Sequence, residues 1–469
     1  MSHRLRLGML LTVVLAVVAA GTTAALASSG STSAVPIKIG ILSDCKGPFG
    51  NQYNADIGGA LTAFSQYAGA RPKNPNNPSA GLVGGSVGGH PIKIVGFGCS
   101  DATPDLAIKE TRRLVEQLGA QILIGPLSGD EAVAVAHYAQ AHPRDTFVNG
   151  TAGSQDPTLQ IAPKNFFRYN GDGAQWNAGA GNIAINKLHW KTAAIIMDDY
   201  SFGWTSAAGL IADFCARGGN ITKRVFAPLG TTDFSSLVRQ LPPPNKVDGY
   251  FWVVGGSATV PSLKAFTQAY GPLNAKKIMG NLFFSVTGNF QEIAPQINGA
   301  YTGGFGTPGF DYVHGTPQKQ YIAIAKHWFK QIPPLGAMNV ANAYNGFFFN
   351  YYKAAWGLVK GLQAVKGNIA SSQLPLQAAL AKVTLNTAFG KVSLDSNRQA
   401  VEAEWSYQIG AKSGKTTVST VQYIPNVNQS FSGLFTHSSP PPSRTQPACK
   451  KATLSWAGKE QPVVGGVIK

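Results

Sequence analysis

The tetrad Ser128-Gly129-Asp130-Glu131 is the first place where residue types and spacing point to chemistry. Serine at a helix start with glutamate three residues later forms a capping box, which accounts for Ser128 on structural grounds alone. The same helix start leaves free amides at a positive end. Such amides suit a carboxylate or another oxyanion and are worth up to ~2 kcal/mol when partly buried. Catalytic patterns are weaker. Gly84-Gly85-Ser86-Val87-Gly88 formally matches G-x-S-x-G, but a nucleophile elbow needs a strand before it and a helix after it. This one lies in a glycine-rich connector that leads into a strand. There is no HExxH and no Walker-type phosphate loop, and the eight histidines do not cluster. No catalytic residue, metal or cofactor is expected.

Four cysteines (Cys45, Cys99, Cys215 and Cys449) are far apart in sequence and have no histidine beside them. In an exported chain they predict two disulfides, for which three pairings exist. Cys45 and Cys99 end neighbouring predicted strands, which favours that pair. Cys215–Cys449 would then pin the C-terminal tail to a helix of the second lobe. Export itself is read from Arg4 and Arg6, the apolar run Leu7–Ala20 and the small-x-small triplet Ala25-Leu26-Ala27. Together they predict a signal peptide over residues 1–27, with Ala34 as a second cleavage site. No cysteine stands near that site to carry a lipid. Cleavage after Ala27 removes two arginines and no acid, taking the formal charge from +17 to +15. The remaining basic residues are scattered in isolated pairs such as Arg112-Arg113 and Lys276-Lys277, without the basic, aromatic stripe that nucleic-acid binding requires.

These residues need elements to position them. With 44% hydrophobic and 13% charged residues, the chain is neither disordered nor a coiled coil. Strands are predicted at Ile37–Asp44, Ile92–Cys99, Gln121–Pro126 and Thr146–Thr151. Helices Asn54–Tyr67, 104–118 and Gly129–Ala141 lie between them. The rhythm breaks over Ala152–Asp172 and resumes with strands Ala193–Asp199, Ile221–Phe226, Gly249–Gly255 and Lys277–Phe284, again with helices between. Buried strands alternating with helices predict parallel sheets covered on both faces, here two doubly wound α/β lobes in series. A long aromatic helix, Ala341–Lys366, is expected to cover the first sheet. Residues 431–447, with Pro440-Pro441-Pro442, read as a tether before a short tail.

In order and spacing, several segments resemble the branched-chain amino-acid-binding proteins, the type I periplasmic solute receptors of ATP-driven importers. The matching pieces are IKIGILSDCKGPFG (37–50), ILIGPLSGDEAVAVAHYA (122–139), FVNGTAGSQDPTL (147–159), AAIIMDDYSFG (193–203), GYFWVVGG (249–256) and YNGFFFNYYKAAWGLVKGL (344–362). The resemblance implies two lobes joined by three crossings, near Phe166–Tyr169, Gly304–Pro308 and Phe389–Asp395. Lobe 1 would be residues 36–165 plus 308–388, lobe 2 residues 166–305 plus 392–430, and residues 431–469 the tail. It implies a small-molecule ligand, an ABC permease as partner, a monomer, and hinge closure as the mechanism.

Carried over by position, the ligand contacts are Phe49, Ser128, Gly129, Thr151, Ala152 and Gly153 from lobe 1, with Ser154 beside them. From lobe 2 they are Tyr200, Phe202 and Ser257, the last replacing an aromatic residue. One departure matters. Amino-acid-binding members hold the ligand ammonium with an acid after the fourth strand of lobe 2, where this chain reads Gly280-Asn281-Leu282-Phe283-Phe284. A buried ammonium without a counter-charge is costly. Either Asp198, Asp199 or Asp101 replaces that acid, or the ligand is not an α-amino acid. Phe283 and Phe284 are placed to stack on an aromatic acid or to fill core. A sensor serving a separate signalling partner is the alternative to a transport receptor, and a secreted hydrolase the more distant one.

Overall fold

The computed structural model describes residues 34–286, 292–412 and 415–469; the expected signal peptide lies outside them. The first sheet runs in the order Ser86–Val87, His90–Ser100, Ile37–Asp44, Ile122–Ile124, Thr146–Val148, Phe166–Phe167. It is parallel except for the hairpin at its edge. Ile37, Ile39 and Ile41 alternate onto one face and are fully buried there with Phe64, Phe348 and Leu358 from the helices Tyr53–Ala68 and Gly346–Ala364. Leu42 and Leu123 face the other way, onto Leu114 and Val135. Doubly covered strands of this kind are apolar throughout. The two helices on the first face approach closely at Gly59, where a Cβ would stand 2.0 Å from the Phe348 carbonyl oxygen. The long aromatic helix therefore covers the first sheet, as its composition predicts.

The second sheet has five parallel strands, Asn220–Ala227, Thr192–Asp198, Gly249–Val253, Ile278–Gly280 and Tyr301–Gly303. The sheet then continues antiparallel through Ala400–Lys412, Lys415–Val427, Gln461–Val464 and Val467–Ile468. Two features differ from the sequence reading. The strand expected over Lys277–Phe284 stops at Gly280, because the Asn281 side chain accepts the Phe283 amide and starts a tight turn over Leu282–Phe284. The stretch 431–447, expected as a tether, is packed. Phe431 and Phe435 are buried with Trp456 against Leu159 and Ala208, and those rings outweigh the prolines.

The chain leaves the first sheet after Phe167, returns past Gly303 to the helices Thr316–Trp328 and Gly346–Ala364, and crosses again through Gly390–Leu394 into Ala400–Lys412. Buried charges mark these passages. Arg168 donates to the Ala152 and Ser154 carbonyls, to Thr158 and to Gln399. Lys353 pairs with Glu402 with both side chains out of solvent, and Glu404 lies nearby, its pKa raised by burial and by the Glu402 charge. Both disulfides, Cys45–Cys99 and Cys215–Cys449, are formed.

Candidate ligand-binding site

The helix Gly129–Ala141 begins at the lobe boundary. Glu131 reaches back to accept the Ser128 amide at 3.4 Å and the Ala102 amide at 3.1 Å, which completes the predicted capping box. The first-turn amides of a helix have no partner inside it, and Gly129 brings them to the wall of a small cavity.

That cavity, about 270 Å³ with the space open to solvent included, is lined by Phe49, Leu127, Ser128, Gly129, Thr151, Gly153, Trp176, Tyr200, Phe202, Leu282, Phe283, Phe305 and Phe347. Seven of these are aromatic. Phe49 stacks on Phe283 at 5.9 Å and 7°, Phe202 meets Phe283 edge-on at 5.7 Å, and Trp176 meets Phe305 edge-on at 4.7 Å. The lobes touch around it. Ser201 donates its amide to Asp130 at 3.0 Å. A Cβ on Gly129 would stand 2.7 Å from the Phe202 nitrogen, and one on Gly153 2.6 Å from Trp176. This is the closed arrangement.

Of the residues proposed from sequence, Phe49, Ser128, Gly129, Thr151, Gly153, Tyr200 and Phe202 meet in this cavity. Ala152 and Ser257 stand outside its lining. Ala152 is buried, with its carbonyl engaged by Asn149 and Arg168, while Ser257 is exposed on the turn Gly256–Ala258. Ser154 is buried and donates to the Gly129 carbonyl at 3.0 Å. The Thr151 and Ala152 amides both point to the Pro126 carbonyl, which leaves Gly153 to present the amide of that loop. Leu127, Trp176, Leu282, Phe305 and Phe347 join the lining without any signal in the sequence that marks them as contacts, and Phe283, a stacking or core residue by sequence, lines it too.

None of the three candidate acids is among the lining residues. Asp198 is buried and accepts the Gly255 amide at 2.8 Å, and burial raises its pKa well above the usual range. Asp199 pairs with Arg444 and accepts from the Trp204 indole. Asp101 caps its own turn through Thr103. Among the described residues no carboxylate lines the cavity. Ser86 sits on a short hairpin strand, with no nucleophile elbow around it, and no three metal-ligating side chains gather among the described residues.

Two α/β lobes meet around a small aromatic cavity with a helix start at its wall, the architecture of a two-lobed binding protein. The chain belongs to the periplasmic binding protein family, whose model matches residues 36–415, and it is accordingly a binding protein and not an enzyme. The fold is shared with solved structures. One is an ABC-transporter solute-binding protein of R. palustris in complex with 4-hydroxybenzoate, at 19% identity and TM-score 0.69 over 84% of this chain and 98% of that one. A second R. palustris protein of that kind, in complex with benzoate, matches at 19% identity and TM-score 0.67 over 84% and 97%. A leucine-binding protein of Thermotoga maritima matches at 16% identity and TM-score 0.63 over 82% and 97%. No curated protein matches the sequence at a significant level.

Proposed function

We propose that this protein is the exported solute receptor of an ABC importer and that its ligand is a small aromatic carboxylate rather than an amino acid. The observation that carries this reading is the makeup of the cavity wall, which has seven aromatic rings, the Ser128–Gly129 helix start and no acid. The helix amides suit the carboxylate. Rings at stacking and edge distances suit an aromatic plane, each such contact being worth about 0.5–1.5 kcal/mol beyond area burial. An ammonium group would enter this site with nothing to balance its charge. Fold neighbours in complex with benzoate and 4-hydroxybenzoate support the ligand class. The ligand docks on Ser128, Thr151 and Phe49, and lobe 2 brings Tyr200, Phe202 and Phe283 over it. The closed form is handed, as a monomer, to a permease.

Thermal unfolding with benzoate, 4-hydroxybenzoate and leucine tests this. Ligand at 100 times its Kd adds about 2.7 kcal/mol of stability. One of the two aromatic acids should therefore raise Tm, leucine should not, and the double variant S128A/T151A should lose the rise while keeping its circular dichroism. A rise with leucine alone overturns the ligand class.

A further inference from the structure

We propose that the C-terminal segment 428–460 is a strap that holds the two lobes in their closed arrangement. All of it lies beyond the span matched by the family, and it is fastened on both sides of the cleft. On the second lobe the attachment is covalent, since Cys449 is bonded to Cys215 of the helix Ser201–Ala216. It is reinforced by the ion pair of Glu460 with Arg217 on the same stretch of chain. On the first lobe the strap grips the turn Pro157–Ile161, which follows the Thr151–Gly153 ligand loop and packs on the helix Gly129–Ala141. Gln160 donates to the Thr436 and Ser439 carbonyls at 3.4 and 3.3 Å, and the His437 ring bonds the Leu159 carbonyl at 2.9 Å.

The two attachments share one apolar cluster, in which Phe431, Phe435 and Trp456 bury Leu159 from the first lobe together with Ala208 and Ala212 from the second. The middle of the strap reaches the loop before the helix Ser201–Ala216. Arg444 pairs with Asp199, the residue before Tyr200 in the cavity wall. Opening the cleft must move the Leu159 turn against Ala208 and Ala212, so the strap resists it. This role does not depend on the ligand class proposed above.

Hydrogen exchange of the ligand-free, full-length protein tests it, because the Ser201 amide bonds Asp130 across the cleft and exchanges when the lobes part. The variant Q160A/H437A removes polar grips on the first lobe, and C215S/C449S cuts the anchor on the second. Both should speed Ser201 exchange about tenfold or more, while amides of the central strand Ile37–Asp44 keep wild-type protection. Unchanged Ser201 exchange in Q160A/H437A, with native circular dichroism, overturns the proposal. So does a C215S/C449S variant that loses protection evenly through the second lobe with no excess at Ser201, since that is the mark of a local staple.

Discussion

Asp44, Asp56 and Glu131 place three fully buried carboxyl groups behind the Ser128 turn, with Ser43 and Ser100 donating to the two aspartates. Burial pushes the Asp44 pKa up to about 6, and Glu131 and Asp56 well above the usual range. The folded chain therefore keeps protons that the unfolded chain, titrating near 4, has already released. The stability contributed by Asp44 is complete below about pH 4 and is lost as pH rises through about 6. Asp44→Asn keeps the neutral form at every pH. Its denaturation midpoint should fall less between pH 4 and 7 than that of the wild type, with the variant the more stable of the two at pH 7. A wild-type midpoint that rises over this range would contradict the assignment. Sequence type alone could not mark these acids, because nothing local distinguishes a buried aspartate from a capping one.

At the scale of elements, the crossings carry their own charges. Lys353 of the helix Gly346–Ala364 has no solvent contact and pairs with Glu402, and both lie next to Gly306 in the second crossing. Lys353→Met leaves a carboxylate buried without its partner and should cost about 3–5 kcal/mol. Lys353→Met/Glu402→Gln should recover part of that loss in urea titrations. Elements with strong local signals were legible in the sequence. The helix Gly129–Ala141 follows its capping box and matches its expected bounds to the residue. The parallel strands lie where their apolar runs, which need two covered faces, place them, although several are shorter than those runs and the one from Lys277 stops at Gly280. The site was legible wherever it hangs on those strand ends. Trp176, Phe305 and Phe347 were not, because they sit beside crossings and at a helix start, where spatial approach leaves no local pattern. The tail was misjudged for a related reason. Proline and serine dominate 438–447, while the aromatic residues that anchor it, Phe431, Phe435 and Trp456, stand on either side.

For the whole molecule, function rests on how closely two rigid halves can meet. Gly129 is one of the tight points of the rim, with a Cβ there falling 2.7 Å from both the Phe202 nitrogen and the Ser201 hydroxyl. Gly129→Ala should favour its own helix by about 1 kcal/mol yet hold the lobes ajar. Small-angle scattering should then show no ligand-induced compaction, and ligand affinity should fall at least tenfold with Tm unimpaired. Compaction equal to wild type would show that the rim yields instead. A second consequence concerns when the receptor becomes competent. Phe49 is carried by the short turn Gly47–Gln52, and Cys45, just before it, is bonded to Cys99 at the end of the adjacent strand. In the reduced protein that clasp is missing, so the wall carrying Phe49 is slack until the two thiols are oxidised.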